Sequence, residues 1–314
     1  MDMLTDIGTI FYHIISPLFV IIIAGAWLER KFVFEIRTLS KICFYLLLPA
    51  MLFTVFIQSS INWNNLLLFS IVQLCQLGSV SVFSWWAAGL LRMPTKKKGA
   101  FILGSAFPNS GNFGIPLIAM IFTVNTMEVL SYHSFTVLIQ NFLIFTFGVA
   151  IVGHGRPSMK NSLGKMFRLP LVYAMLFAVL IRALSIPIQE IPVIWGPLGI
   201  ASDGLISIAM LTIGIQLAKL RKVQLSRVLI SATVIKLIIS PLFALIFVFV
   251  FNLQGFLAQL VVITAATPTA VNTALIGIEY DNEPELSSSI VGLTTIISAV
   301  SVSLIVYFVM SYIH

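Results

Sequence analysis

Charge is scarce in this sequence. Only 9% of its 314 residues are Asp, Glu, Lys or Arg, against about a quarter in an ordinary soluble domain, and the mean hydropathy is +1.06. A water-soluble fold is excluded. Cysteine is nearly absent: Cys43 and Cys75 stand alone in apolar runs, which leaves no disulfide framework and no Cys-based zinc site. His13, His133, His154 and His314 are scattered, none at i, i+4 from another ligand, so no metal site is expected. No Walker A glycine-lysine loop is present, which excludes ATP as a direct energy source. Nor does any His/carboxylate, Ser/His or paired-Asp arrangement within the apolar runs suit an intramembrane enzyme.

What the chain has is long apolar runs. They fall at about 8 to 28, 38 to 58, 65 to 91, 98 to 124 and 129 to 153, then 169 to 185, 196 to 218, 228 to 251, 254 to 279 and 285 to 312. At roughly 20 residues per crossing these predict ten transmembrane helices, with no room for a soluble domain. The first run lacks the positive flank of a cleavable signal and is kept as the first helix.

The cations test that count independently. Arg30, Lys31, Arg37 and Lys41 flank the first break, and Arg92, Lys96, Lys97 and Lys98 the third. Arg156, Lys160, Lys165 and Arg168 lie in the fifth, and Lys219, Arg221, Lys222 and Arg227 in the seventh. Sixteen of 18 cations thus fall in alternate loops, which marks those loops as cytoplasmic and puts both chain ends outside. The ninth break is inside by alternation yet carries acids: Glu279, Asp281, Glu283 and Glu285. The membrane expected is the cytoplasmic (inner or plasma) one.

Two spans are interrupted. Residues 104–116 read GSAFPNSGNFGIP and residues 267–272 read TPTAVN. Proline removes an amide donor and glycine loosens the backbone, so each helix should open at mid-membrane, where lipid satisfies no backbone group. Both contain Pro-x-x-x-Asn: Pro108 and Pro268, like Asn112 and Asn272, are 160 residues apart. The chain therefore divides into five-helix halves, residues 1–153 and 169–314, joined by a basic linker at 154–168. Because five is odd, the halves are inverted relative to each other, the architecture of a transporter. Taken singly, either segment also reads as an ordinary proline kink.

Paired interruptions at matching places point to a substrate site, since helix N-termini supply free amides and partial positive charge. A carboxylate suits such a site. Asn109, Asn112 and Asn272 are candidate neutral donors, or else inter-helix hydrogen-bonding groups; Gly111 and Thr269 join them as substrate-site candidates. Three ionisable residues fall within spans. Arg182 is expected to snorkel outward, and Asp203 to be interfacial or to face the scaffold. Lys236 either counters the substrate's carboxylate or pairs with backbone groups of the interrupted helices.

The stretch AFPNSGNFGIPLIAM at 106–120 resembles the fourth-helix signature of the auxin efflux carrier family, the PIN-like permeases that include bacterial dicarboxylate carriers. The stretch from Glu279 to Phe308 is similar to that family's last helix and preceding loop; Pro17-Leu18-Phe19, FYLLLPAML at 44–52 and KLIISP at 236–241 also match. The resemblance implies an all-α membrane fold of ten helices in two inverted repeats, like the bile acid/sodium symporters, with the broken fourth and ninth helices crossing. It implies that Pro108, Asn109, Asn112, Pro268 and Asn272 face the substrate at the crossing, with Gly114 and Pro116 shaping the break. Helices one, two, six and seven would form a scaffold and a possible homodimer interface, while Gln140 and Asn141 line the cavity or a cation site, or simply pack. The function expected is alternating-access transport of a small organic anion, auxin-like or malonate/malate-like. A passive channel-like facilitator is the alternative. No cofactor is expected, and coupling to a proton or sodium gradient is open.

Overall fold

The computed structural model describes residues 3–152, 170–220 and 223–313. The basic linker at 154–168, with Arg156, Lys160, Lys165 and Arg168, lies outside the described residues, as do Arg221, Lys222, His154 and His314. Twelve helices make up most of the described residues, beside a short 3₁₀ turn at Ile188–Glu190: α1 (Asp6–Phe32), α2 (Ile36–Gln58), α3 (Trp63–Leu90), α4 (Thr95–Ala106), α5 (Ser110–Ile121) and α6 (Thr126–Val152). They continue as α7 (Pro170–Ala183), α8 (Pro192–Ala218), α9 (Arg227–Val250), α10 (Gly255–Ala266), α11 (Val271–Glu279) and α12 (Pro284–Tyr312). Seven of these, α1, α2, α3, α6, α8, α9 and α12, are long and apolar enough to cross a membrane. The predicted fourth span is the pair α4 and α5, and the ninth is α10 and α11.

The surface is apolar as well as the core. Ile23, Leu67, Ile200 and Phe249 are all more than 60% exposed, which is unfavourable in water and natural against lipid.

Proline shapes several helices in one repeated way. Five-residue π-turns occupy 11–15, 43–47, 110–114 and 235–239, and in each case the next two residues are X-Pro, ending at Pro17, Pro49, Pro116 and Pro241. A proline ring crowds the carbonyl four residues back and offers it no hydrogen. The residue before each proline bonds five residues back instead, as Ser16 does to Phe11, Leu48 to Cys43, Ile115 to Ser110 and Ser240 to Ile235. The helix widens for one turn and then resumes. A fifth π-turn, Ile144–Gly148, has no proline after it.

Helices α1, α2, α7 and α8 pack on one another, and α1 against α8 is the most extensive pairing among the described residues. Glycine sets that distance. A Cβ on Gly214 would lie 1.9 Å from the Ile22 carbonyl oxygen, and one on Gly25 would lie 2.4 Å from that of Leu211. The two backbones touch, as small residues permit inside membranes. Helices α3, α4, α9, α10, α11 and α12 pack among themselves beside this group.

Contacts also identify the ends. Lys219 forms an ion pair with Glu29 at 3.3 Å and donates to the Phe34 carbonyl, tying the end of α8 to the end of α1. Leu220 packs on Gly292 near the start of α12. Asn282 Nδ2 donates to the Val152 carbonyl at 3.3 Å, and its Oδ1 approaches Gly99. The acidic loop thus lies at the same end as the cation-rich loops, where alternation puts it. At the opposite end Arg182 donates to the carbonyls of Phe56 (2.9 Å) and Ser59, capping α2 rather than only reaching outward.

Candidate functional site

The site begins with two helices that stop. Residues preceding proline are pushed out of the helical region, so Phe107 and Thr267 are extended, ending α4 at Ala106 and α10 at Ala266. The two extended stretches meet. Pro108 and Thr269 form an isolated antiparallel bridge, the one bridge among the described residues. Asn109 N–H donates to the Pro268 carbonyl at 2.7 Å, and Ala270 N–H donates to the Phe107 carbonyl at 2.9 Å. Each break satisfies part of the other, so these two amides are not free for a ligand as the sequence suggests. A local two-fold axis exchanges the bonds, matching 108 to 269, one residue beyond the 160-residue motif spacing.

Beside the bridge is a small cleft of about 20 Å³, room for one or two waters. Its walls are Pro108 and Asn109, the first turn of α5 (Ser110, Gly111, Asn112), Ala270, and the first turn of α11 (Val271, Asn272). Helix α6 contributes Val137, Gln140, Asn141 and Ile144, and the α2 π-turn contributes Phe44. The two first turns are where helices hold unpaired amides and positive dipole ends. No wall residue carries a charge.

The amide side chains are organised as donors and acceptors. Asn109 Oδ1 accepts from the Asn112 N–H at 3.2 Å, capping α5. Its Nδ2 is buried and has no partner, an unmet donor in the cleft wall and unfavourable if left so. Ser110 Oγ donates to Gln140 Oε1 at 2.6 Å, and Asn272 Nδ2 donates to Asn141 Oδ1 at 3.0 Å. Asn141 Nδ2 donates to the Val137 carbonyl at 2.8 Å.

Of the residues singled out from sequence, Pro108, Asn109, Gly111, Asn112, Gln140, Asn141 and Asn272 line the cleft. Others do not. Thr269 faces away, its hydroxyl donating to the Gly104 carbonyl at 2.5 Å and its N–H donating to Thr294 Oγ1 at 3.1 Å. Lys236 is fully buried outside the cleft wall, and its Nζ donates to the Ala265 carbonyl at 2.7 Å. It therefore pairs with backbone of the ninth span, the second of its two expected roles. Ser240 Oγ donates to the same carbonyl at 3.1 Å, and Gln76 Nε2 donates to Ser240 Oγ at 3.0 Å. Pro268 supplies its carbonyl to the bridge, Pro116 sits inside the α5 region behind its π-turn, and Gly114 packs on His133. Asp203 is exposed on α8. Sequence reasoning did not name Ser110 or Phe44; Ser110, between two candidate asparagines, was within its reach.

The profile of the family described as membrane transport protein matches residues 10–306. The chain belongs to the membrane transport protein family. It is the family of the auxin efflux carrier resemblance. The chain is 25% identical over 276 residues to an uncharacterized transporter of Methanothermobacter thermautotrophicus, covering 86% of this chain and 88% of that one. It is 22% identical over 274 residues to an uncharacterized transporter of Methanocaldococcus jannaschii, covering 85% and 88%. Membership and the apolar helices make it a multi-pass membrane transporter.

Proposed function

We propose that this transporter is a secondary or facilitative carrier of small organic anions, mono- or dicarboxylates, working by alternating access at the crossed breaks. The observation that carries the reading is the cleft wall: first turns of two interrupted helices and five amide side chains, one of which, Asn109, keeps a buried donor without a partner. A carboxylate accepts hydrogen bonds and is drawn to helix N-termini. Neutral donors bind it without the penalty of a buried lysine or arginine.

Ten crossings in two inverted repeats fit the packing. Exchanging each span with the one five later turns α1 against α8 into α7 against α2, and α3 against α4 into α9 against α10; all four pairings occur. The group α1, α2, α7 and α8 is the scaffold in this reading, with its outer face available to a second copy. The crossing group moves against it. A cleft with room for only a water or two opens to a carboxylate when the groups shift. Both termini lie outside, in the cytoplasmic membrane.

The test is a thermal-shift and proteoliposome screen of purified protein against mono-, di- and tricarboxylates, with pH and sodium gradients varied. Stabilisation and saturable counterflow by a carboxylate are expected. A neutral or cationic hit alone overturns the anion assignment, and flux without saturation or counterflow replaces the carrier with a channel.

A further inference from the structure

His133 has no part in the cleft wall, yet it joins both interrupted spans. The ring is fully buried on α6. Nε2 lies 2.9 Å from the Ser110 carbonyl oxygen at the start of α5, and Nδ1 lies 3.3 Å from Thr264 Oγ1 near the end of α10. Gly114 closes the pocket around the ring: a Cβ there would come within 2.8 Å of Nε2.

A carbonyl only accepts, so Nε2 carries a hydrogen and donates it. Nδ1 instead faces a hydroxyl. That partner serves either state of the ring, donating to a bare nitrogen and accepting from a protonated one. Thr264 sits on a helix, where a released hydroxyl hydrogen turns to the carbonyl four residues back. Both protonation states are thus accommodated without moving the backbone.

No acid or base on the surrounding elements offsets a charge here. Neither α5 nor α10 has a titratable side chain, residues 48–58 of α2 have none, and α3 has only Cys75. On α6 itself Glu128 and Tyr132 lie toward the helix start. Helix α9 brings Lys236, whose amine ends on Ala265, the residue after Thr264. The last turns of α6 pack on α4 and α11, whose Lys96, Lys97, Lys98 and Glu279 stand near Val152, at the end of α6 remote from His133. A protonated ring is therefore a cation without a counter-charge in a dry interior, unfavourable until an anion is near. Ser110, which holds the Nε2 hydrogen, lines the cleft beside Gly111.

Building on the anion-carrier reading, we infer that His133 is a proton-binding site whose occupancy is linked to that of the cleft. Anion and proton each raise the other's affinity, because such linkage is reciprocal. The proton adds to the Nδ1 lone pair from water and returns to water on the far side; no other bond changes. The cargo is one anion with one proton.

Full-length protein in proteoliposomes, with membrane potential clamped, tests this using radiolabelled malonate and lactate. One proton per anion gives about tenfold accumulation per pH unit of gradient. His133→Gln keeps a donor for Ser110 but binds no proton, so counterflow persists while gradient-driven accumulation falls about tenfold, to none. Thr264→Val, which removes the hydroxyl partner, moves the same way. Should a variant fail to reconstitute, 15N-histidine NMR of the wild-type protein decides: a ring with hydrogen on Nε2 alone without anion, and on both nitrogens with saturating anion at pH 6. A wild-type protein with counterflow but no response to the pH gradient overturns the proposal. So does His133→Gln with undiminished accumulation, or a ring left singly protonated at saturating anion. If the wild-type protein shows no counterflow with any carboxylate, the anion reading itself has failed and the linkage falls with it.

Discussion

Asn109 gives a test in which folding and binding part company. Its Oδ1 caps α5 through the Asn112 N–H at 3.2 Å, and its Nδ2 has no partner. Asn109→Asp keeps the cap, since aspartate serves that position as well as asparagine, but removes the donor and places a negative oxygen in the wall. A hydrogen bond to a charged group contributes about 1.5–3 kcal/mol. Two like charges about 4 Å apart add about 4 kcal/mol at an effective dielectric of about 20. Together the terms exceed about 5 kcal/mol, more than a thousandfold in affinity at about 1.4 kcal/mol per decade. Asn109→Ser keeps a capping oxygen and adds no charge, so it loses only the first term, about 10- to 150-fold. The assay is concentration-dependent uptake at pH 7.5 beside thermal unfolding in detergent. Unfolding temperatures near wild type with the ordered losses Asp > Ser are expected. Uptake by Asn109→Asp within threefold of wild type refutes the reasoning.

Gly214→Val forces side-chain atoms into the Ile22 carbonyl, 1.9 Å from the first added carbon; destabilisation beyond the usual 1–3 kcal/mol of overpacking, read by thermal unfolding, is expected. Gly114→Ala collides with His133 at 2.8 Å, whereas Gly111→Ala meets only Val137 Cγ1 at 3.9 Å, so the first lowers the unfolding temperature clearly more than the second. Lys236→Gln lowers stability, because a buried carbonyl at the end of α10 loses its cationic donor, and it weakens anionic and neutral ligands equally; selective loss of anions returns Lys236 to the substrate. Asn272→Ala breaks the link to Asn141 Oδ1 at 3.0 Å and raises the KM for a carboxylate about tenfold or more, with the protein still folded.

How far the sequence could be read depended on whether the signal was local. Hydropathy and the placement of cations depend on neighbours along the chain, and they located the seven long apolar helices and put the acidic 279–285 loop at the cation-rich end, where Asn282 meets Val152. Pro108 and Pro268 marked the breaks because a missing amide acts on its own turn. The mutual bridge was hidden: Asn109 and Pro268 are partners 159 residues apart, and no local pattern says that two broken helices satisfy each other. Lys236 was ambiguous for a related reason. A helix apolar on every side gives no periodic cue to its orientation, so depth along α9 was legible and facing was not. The π-turns at Pro17, Pro49 and Pro241 lay behind stretches recognised only by resemblance, though each follows from a proline's missing hydrogen.

In the proposed function a carboxylate occupies the cleft beside the Pro108–Thr269 bridge. The most direct measurement is alkylation of a Gly111→Cys variant, with Cys43 and Cys75 replaced, by a water-soluble maleimide in the presence of a transported carboxylate. Gly111 lines the cleft and has space for a side chain. Labelling that slows as the carboxylate saturates, with half-protection near the transport KM, is the predicted result; a labelling rate untouched by saturating carboxylate contradicts it.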